Sequence, residues 1–147
     1  MKNSLCIALA LTFSSAIAQE GPIKLQVDAT DAPRKTLHAH LNIPAKPGDL
    51  TLLYPKWIPG EHGPTGPITD LAGVKITVAG KSIPWRRDDV DMYAFHLDVP
   101  EGVTQVEADL DFVIPSDSEY WTYATARRLN IAWWSVLLYP AGFNMAS

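Results

Sequence analysis

From residue 19 onward the chain shows no sustained helical period, and apolar positions recur every second residue instead. In IKLQVDA, Ile23, Leu25 and Val27 share one face. In KTLHAHLNI, Leu37, Ala39, Leu41 and Ile43 point one way while His38, His40 and Asn42 point the other. The turn signal AKPGD leads into a further strand, LTLLY. GVKITVAGKSIPW reads as a hairpin in which Val74, Ile76 and Val78 alternate and AGKS reverses the chain. DMYAFHLDV puts Tyr93, Phe95, Leu97 and Val99 on one side and stops at Pro100 and Gly102. VTQVEADLDFVI turns Val106, Ala108, Leu110, Phe112 and Ile114 inward, with Glu107, Asp109 and Asp111 outward. NIAWWSVLLY, residues 130–139, is apolar at nearly every position, which predicts a strand covered on both faces.

About seven or more short strands separated by Pro/Gly turns predict an all-β domain, an antiparallel β-sandwich or curved sheet. The 12 prolines fit loops and edge strands, because proline cannot donate to a central ladder. No internal repeat or low-complexity linker interrupts the pattern. A strand apolar on both faces needs neighbours on either side, yet this one lies close to the last residue. The sequence therefore reads as a β domain that is incomplete at its C-terminus.

The first eighteen residues are of another kind. Lys2 precedes a short apolar run, LCIALALTF, and Ala16 and Ala18 stand where signal peptidase requires small residues. This predicts a secretory signal peptide over 1–18, a β domain over 19–147, and a periplasmic or extracellular destination with no membrane anchor after cleavage. The run is shorter than the ~20 apolar residues that span a bilayer. Cys6, the single cysteine, falls in the removed segment, so the mature chain is expected to hold together through its core, without disulfides. Loss of Lys2 takes the formal net charge from −4 to −5, with acids and bases interspersed. Nothing in that balance attracts nucleic acid or an acidic membrane surface.

Candidate chemistry is sparse. The histidines are His38, His40, His62 and His96, and none belongs to an H-E-x-x-H element. His38 and His40 leave one strand face about 7 Å apart, a spacing that can serve a metal, but no third ligand lies nearby and two solvent-facing histidines account for them as well. Asp88, Asp89 and Asp91 in DDVD lack calcium-loop spacing and read as a turn. Asp109 and Asp111 could form an acid/base pair, or with Glu107 a polar outer face. No G-x-S-x-G turn or phosphate-cradling loop is present. The chain alone is expected not to catalyse and to carry no cofactor.

One stretch stands apart. YPKWIPGEHGPTGP, residues 54–67, holds four prolines and three glycines, which excludes a helix or a central strand. It is a long, locally stiff loop carrying Trp57, Pro59, Gly60, Glu61 and His62. These residues are the candidate substrate-binding or interdomain set, with Trp57 as the anchor; a purely structural loop and an independent binding site remain the alternatives. The segment Leu50–Pro100, with its W-x-P-G element (Trp57, Ile58, Pro59, Gly60) and the following Asp70, resembles the N-terminal domain of the glycyl aminopeptidase family of zinc metallopeptidases, peptidase family sixty-one of the metallo class. NIAWWSVLLYPAG, Asn130–Gly142, resembles a later landmark of the same domain. The resemblance implies a β domain that precedes a thermolysin-like catalytic domain, where H-E-x-x-H and a distant glutamate bind zinc, and often a PDZ domain. None of those ligands occurs here, so zinc is implied for the intact family and not for this chain. The implied partners are the missing catalytic domain and, through it, a peptide substrate. The rival expectation is a free-standing secreted module that binds peptide or glycan through Trp57, Tyr120, Trp121 and Tyr123; metal sequestration by His38 and His40 is a third.

Overall fold

A computed structural model describes residues 21–116 and 121–143. The predicted signal segment 1–18 and Tyr120 lie outside the described residues. Eleven strands occur among those described: β1 (Lys24–Asp28), β2 (Thr36–Pro44), β3 (Gly48–Leu53), β4 (Leu71–Val78), β5 (Lys81–Ser82), β6 (Trp85–Arg87), β7 (Ala94–Val99), β8 (Gln105–Val113), β9 (Tyr123–Ala124), β10 (Leu129–Asn130) and β11 (Tyr139–Pro140). Three short 3-10 turns, Ala32–Arg34, Ile68–Asp70 and Trp133–Val136, are the helical segments. The fold is all-β, with more and shorter strands than the alternation alone predicts. No helix among the described residues is long and apolar enough to cross a membrane.

Strands run β1-β2-β8-β4-β5 in one sheet and β11-β3-β7-β6 in a second, and β10-β9 forms a small ribbon. Every pairing is antiparallel. Both larger sheets turn apolar faces into one shared core. The longest seam joins β2 to β8 from Thr36↔Val113 to Pro44↔Gln105. On its inner face Leu37 meets Phe112, Ala39 meets Leu110, Leu41 meets Ala108, and Ile43 meets Val106. In the middle two pairs an alanine opposes a leucine, which makes room for the bulkier pairs at either end. Leu37, Leu41, Ile43, Val106 and Ala108 are wholly buried. Each large one stabilises the fold by about 1.5–3 kcal/mol through burial.

Between β4 and β8 the register slips, so that Gly73 and Val74 stand opposite Leu110 alone. This bulge lets Leu71 and Ile76 both reach the core from one strand. Ala79 and Gly80, both with positive φ, then make the two-residue turn predicted at AGKS. Of the outer strands, β5, β6 and β11 have two or three residues each, which limits the open edge they present, while β1 has five.

The stretch 130–139 departs from expectation. It is not one strand but the end of β10, a 3-10 turn and the start of β11. Side chains and local contacts satisfy its backbone where a ladder was expected. The Ala132 N–H donates to Thr122 Oγ1 at 3.0 Å, and the Ser135 N–H donates to the Ala132 carbonyl at 2.9 Å. Ala132, Ser135, Val136 and Leu138 are buried while Trp133 is 62% exposed. A short apolar run fits either conformation, and periodicity cannot separate them.

Candidate functional site

The loop 54–67 contains no strand or helix and is held from beneath at several points. Tyr54, fully buried, donates its hydroxyl to the Ser135 carbonyl at 2.9 Å, and its N–H donates to the Tyr93 carbonyl at 2.9 Å. Burial, with Asp70 and Tyr93 nearby, pushes the Tyr54 hydroxyl well above the ordinary phenol range, so it stays a donor. At the loop's far end the Gly66 N–H donates to the Lys56 carbonyl at 3.0 Å, closing the loop on itself. Tyr93 Oη lies 2.9 Å from the Pro64 carbonyl and 3.0 Å from the Gly66 carbonyl and shares its one proton between them. Lys56 Nζ meets Asp91 Oδ2 at 3.1 Å and lies 5.5 Å over the Tyr93 ring.

The W-x-P-G element is a turn whose shape its residues dictate. Pro59 supplies the fixed φ of the second turn position and Gly60 the positive φ (+86°) of the third, and the Glu61 N–H donates to the Ile58 carbonyl at 3.3 Å. Ile58 is buried, whereas Trp57 is 66% exposed and Pro59, Gly60, Glu61 and His62 are exposed. The loop is thus attached to its own domain by Tyr54, Ile58 and Gly66, and Trp57 points outward. Gly60 sits against Trp121. Trp121 in turn packs edge-on against Trp134, with centroids 5.4 Å apart. Between the loop and this pair lies a cavity of about 230 Å³ lined by Ile58, Glu61, Thr65, Asp70, Trp121 and Trp134, among others.

Of the predicted site residues, Glu61 lines that cavity and Trp57 and His62 do not. Trp133 and Trp134 do not share a platform: in the 3-10 turn Trp133 is exposed while Trp134 pairs with Trp121. Tyr123 is half-buried in β9. Asp70, part of the family resemblance, reaches the same cavity as Glu61, and nothing in its local sequence signals this.

The histidines have partners that the sequence did not show. Register places His38 opposite Asp111 and His40 opposite Asp109. His38 Nδ1 lies 2.6 Å from Asp111 and its Nε2 lies 3.4 Å from Asp31, while His40 Nδ1 lies 2.7 Å from Asp109. The Asp111 carboxylate, and secondarily Asp31, raises the pKa of His38 above its ordinary value. Among the described residues no three His, Cys, Asp or Glu side chains converge as metal ligands. Each histidine gives its Nδ1 to a carboxylate, as metal-bound histidines also do, but without a third converging side chain the described residues do not make up a zinc ligand set.

DDVD forms the turn between β6 and β7. Asp88 Oδ1 accepts from the Val90 and Asp91 N–H groups at 2.9 and 2.8 Å, and Oδ2 meets His96 Nε2 at 2.8 Å. These N–H groups, and then His96, hold the Asp88 carboxyl well below the usual range. His96 Nδ1 lies 3.0 Å from Thr51 Oγ1. Hydroxyl, imidazole and carboxylate therefore stand in line, as in a nucleophile relay. The next pair on the same sheet face is Asp49 opposite Asp98, however, and two carboxylates oppose a developing oxyanion. The line serves to tie the turn to β3 and β7, and through Asp91–Lys56 to the loop.

Comparison with known proteins places this geometry in context. The crystal structure of an aminopeptidase N family protein from Idiomarina loihiensis is similar to this chain with a TM-score of 0.67 at 17% identity; the match covers 82% of this chain and 20% of that one. At that identity the likeness is one of fold, and the chain spans about a fifth of that protein's length. No curated protein gives a significant match. Residues 24–147 match the family model described as the peptidase M61 N-terminal domain, which takes in every described strand. The chain therefore belongs to the peptidase M61 family, through its N-terminal domain.

Proposed function

We propose that this chain is the non-catalytic N-terminal β domain of an exported zinc aminopeptidase-like protein, with residues 1–18 as its signal peptide and 19–147 as the mature domain in the periplasm or outside the cell. Its task is to support a thermolysin-like catalytic domain, and loop 54–67 is both the contact and part of the rim of the peptide-binding cleft. Zinc held by that partner would supply carbonyl polarisation and water activation. This chain's own residues contribute a fixed surface and take no part in the bond-breaking step.

The observation that carries the reading is the loop's two-sidedness. Tyr54, Ile58 and Gly66 fasten it to the core, while Trp57 stands 66% exposed beside Lys56. Lys56 is bonded to Asp91, whose neighbours Val90 and Met92 are 96% and 48% exposed. A large indole on a stiff mount, with exposed apolar residues flanking the bonded Asp91, is what an interdomain contact requires. Replacing the W-x-P-G tryptophan by alanine in a full-length family member tests it. Peptide cleavage falls and the two domains unfold at separate temperatures if the reading holds; unchanged cleavage with a single unchanged transition sinks it.

A further inference from the structure

The cavity beside the loop has a chemical character of its own. Its volume of about 230 Å³ falls below the ~300–1,000 Å³ of pockets that hold drug-sized ligands, and suits a single side chain. Two acids, Glu61 and Asp70, line it, with no Lys, Arg or His among the described lining residues. Trp121 and Trp134 supply an aromatic wall, fixed by their own edge-on packing and by Gly60 against Trp121. Aromatic faces beside carboxylates attract an organic cation, and a planar guanidinium both stacks on indole and pairs with carboxylate. A bare metal ion fits poorly, because no three ligating side chains converge among the described residues.

We infer that this cavity binds one arginine side chain of a peptide segment, the guanidinium stacking on Trp121 and pairing with Glu61. The inference does not depend on the interdomain role of Trp57, which lies outside the lining. The two readings can therefore fail separately.

The test uses the whole chain labelled with nitrogen-15 and the small probe N-acetyl-arginine methylamide. Indole N–H signals of Trp121 and Trp134 are followed while the probe is raised to tens of millimolar. Both signals are expected to move along a saturating curve with a millimolar Kd. The neutral isostere N-acetyl-citrulline methylamide should bind at least threefold more weakly. Glu61→Gln, at an exposed position that leaves the core alone, should weaken arginine binding by about threefold to fivefold, the scale of a partly exposed ion pair. Trp121→Leu should abolish the response of Trp134. No saturable movement, equal binding of the citrulline probe, or an unaltered Kd in the Glu61→Gln variant each overturns the proposal.

Discussion

Gly66 has no room for a side chain, and replacing it by alanine is a sharp trial of how the loop is held. A Cβ built there lies 1.8 Å from the Pro55 carbonyl oxygen, 2.9 Å from its carbon and 3.1 Å from Lys56 Cα. All three atoms are backbone, so no side chain can swing away, and the two strands of the loop must part by more than an ångström. Parting them breaks the Gly66 N–H bond to the Lys56 carbonyl and pulls the Gly66 carbonyl from Tyr93 Oη. Each lost bond costs about 1 kcal/mol, and forcing packed backbone aside costs about 1–3 kcal/mol more. The sum, about 3–5 kcal/mol, far exceeds the ~0.5 kcal/mol of an ordinary surface-loop change. Urea unfolding followed by tryptophan fluorescence measures it, and at an ordinary urea slope the midpoint should fall by about 2 M. Gly63→Ala is the control: its Cβ would meet only Thr65 Cγ2 at 3.8 Å, so its midpoint should scarcely move. Equal midpoints for wild type, Gly63→Ala and Gly66→Ala would refute the claim that a close backbone approach fixes the loop.

Other outcomes follow from the same geometry. Trp57→Ala in this chain should alter unfolding free energy by less than about 0.5 kcal/mol, since the ring is exposed; a larger loss would mean that it packs within the domain. Thr122→Val strips the Ala132 N–H of its acceptor and Ser135 Oγ of its partner in a buried site, and should cost about 1–3 kcal/mol by the same urea assay. His38 should titrate by NMR above its ordinary value of about 6.5, and Asp111→Asn should lower that midpoint. Because the folded pKa is raised, the stabilising contribution is fully present below about pH 6.5 and is lost as pH rises through the folded value. Urea midpoints measured across that window should therefore slope less in the Asp111→Asn variant.

Strands with strict alternation were legible from their residues. Leu37, Ala39, Leu41 and Ile43 against Val106, Ala108, Leu110 and Phe112 needed only a period of two to be assigned to a buried face. The family resemblance, carried by W-x-P-G, was legible as well. What escaped was whatever depends on distant neighbours. His38 and His40 are partly solvent-facing as expected, but their carboxylate partners stand 73 and 69 positions away, and only the strand order unites them. Residues 130–139 looked like a strand because composition alone was informative there, while the deciding contact was a hydroxyl on Thr122. The cavity was illegible for the same reason: Glu61, Asp70, Trp121 and Trp134 come from four separate segments, and no spacing links them.

The seam between β2 and β8 also governs how the chain can reach this structure. Its halves are about seventy residues apart, as the 73 positions from His38 to Asp111 illustrate, so closing it restricts a long stretch of flexible polymer. That entropy loss is about 4 kcal/mol before any core contact returns the favour. Such topologies fold in milliseconds to seconds rather than microseconds. A ribosome adding ~5–20 residues per second needs roughly 4–14 s to make the second half after the first. Throughout that interval β2 has only β1 beside it, and Leu37, Leu41 and Ile43 lack their β8 partners, which leaves apolar strand surface exposed to self-association.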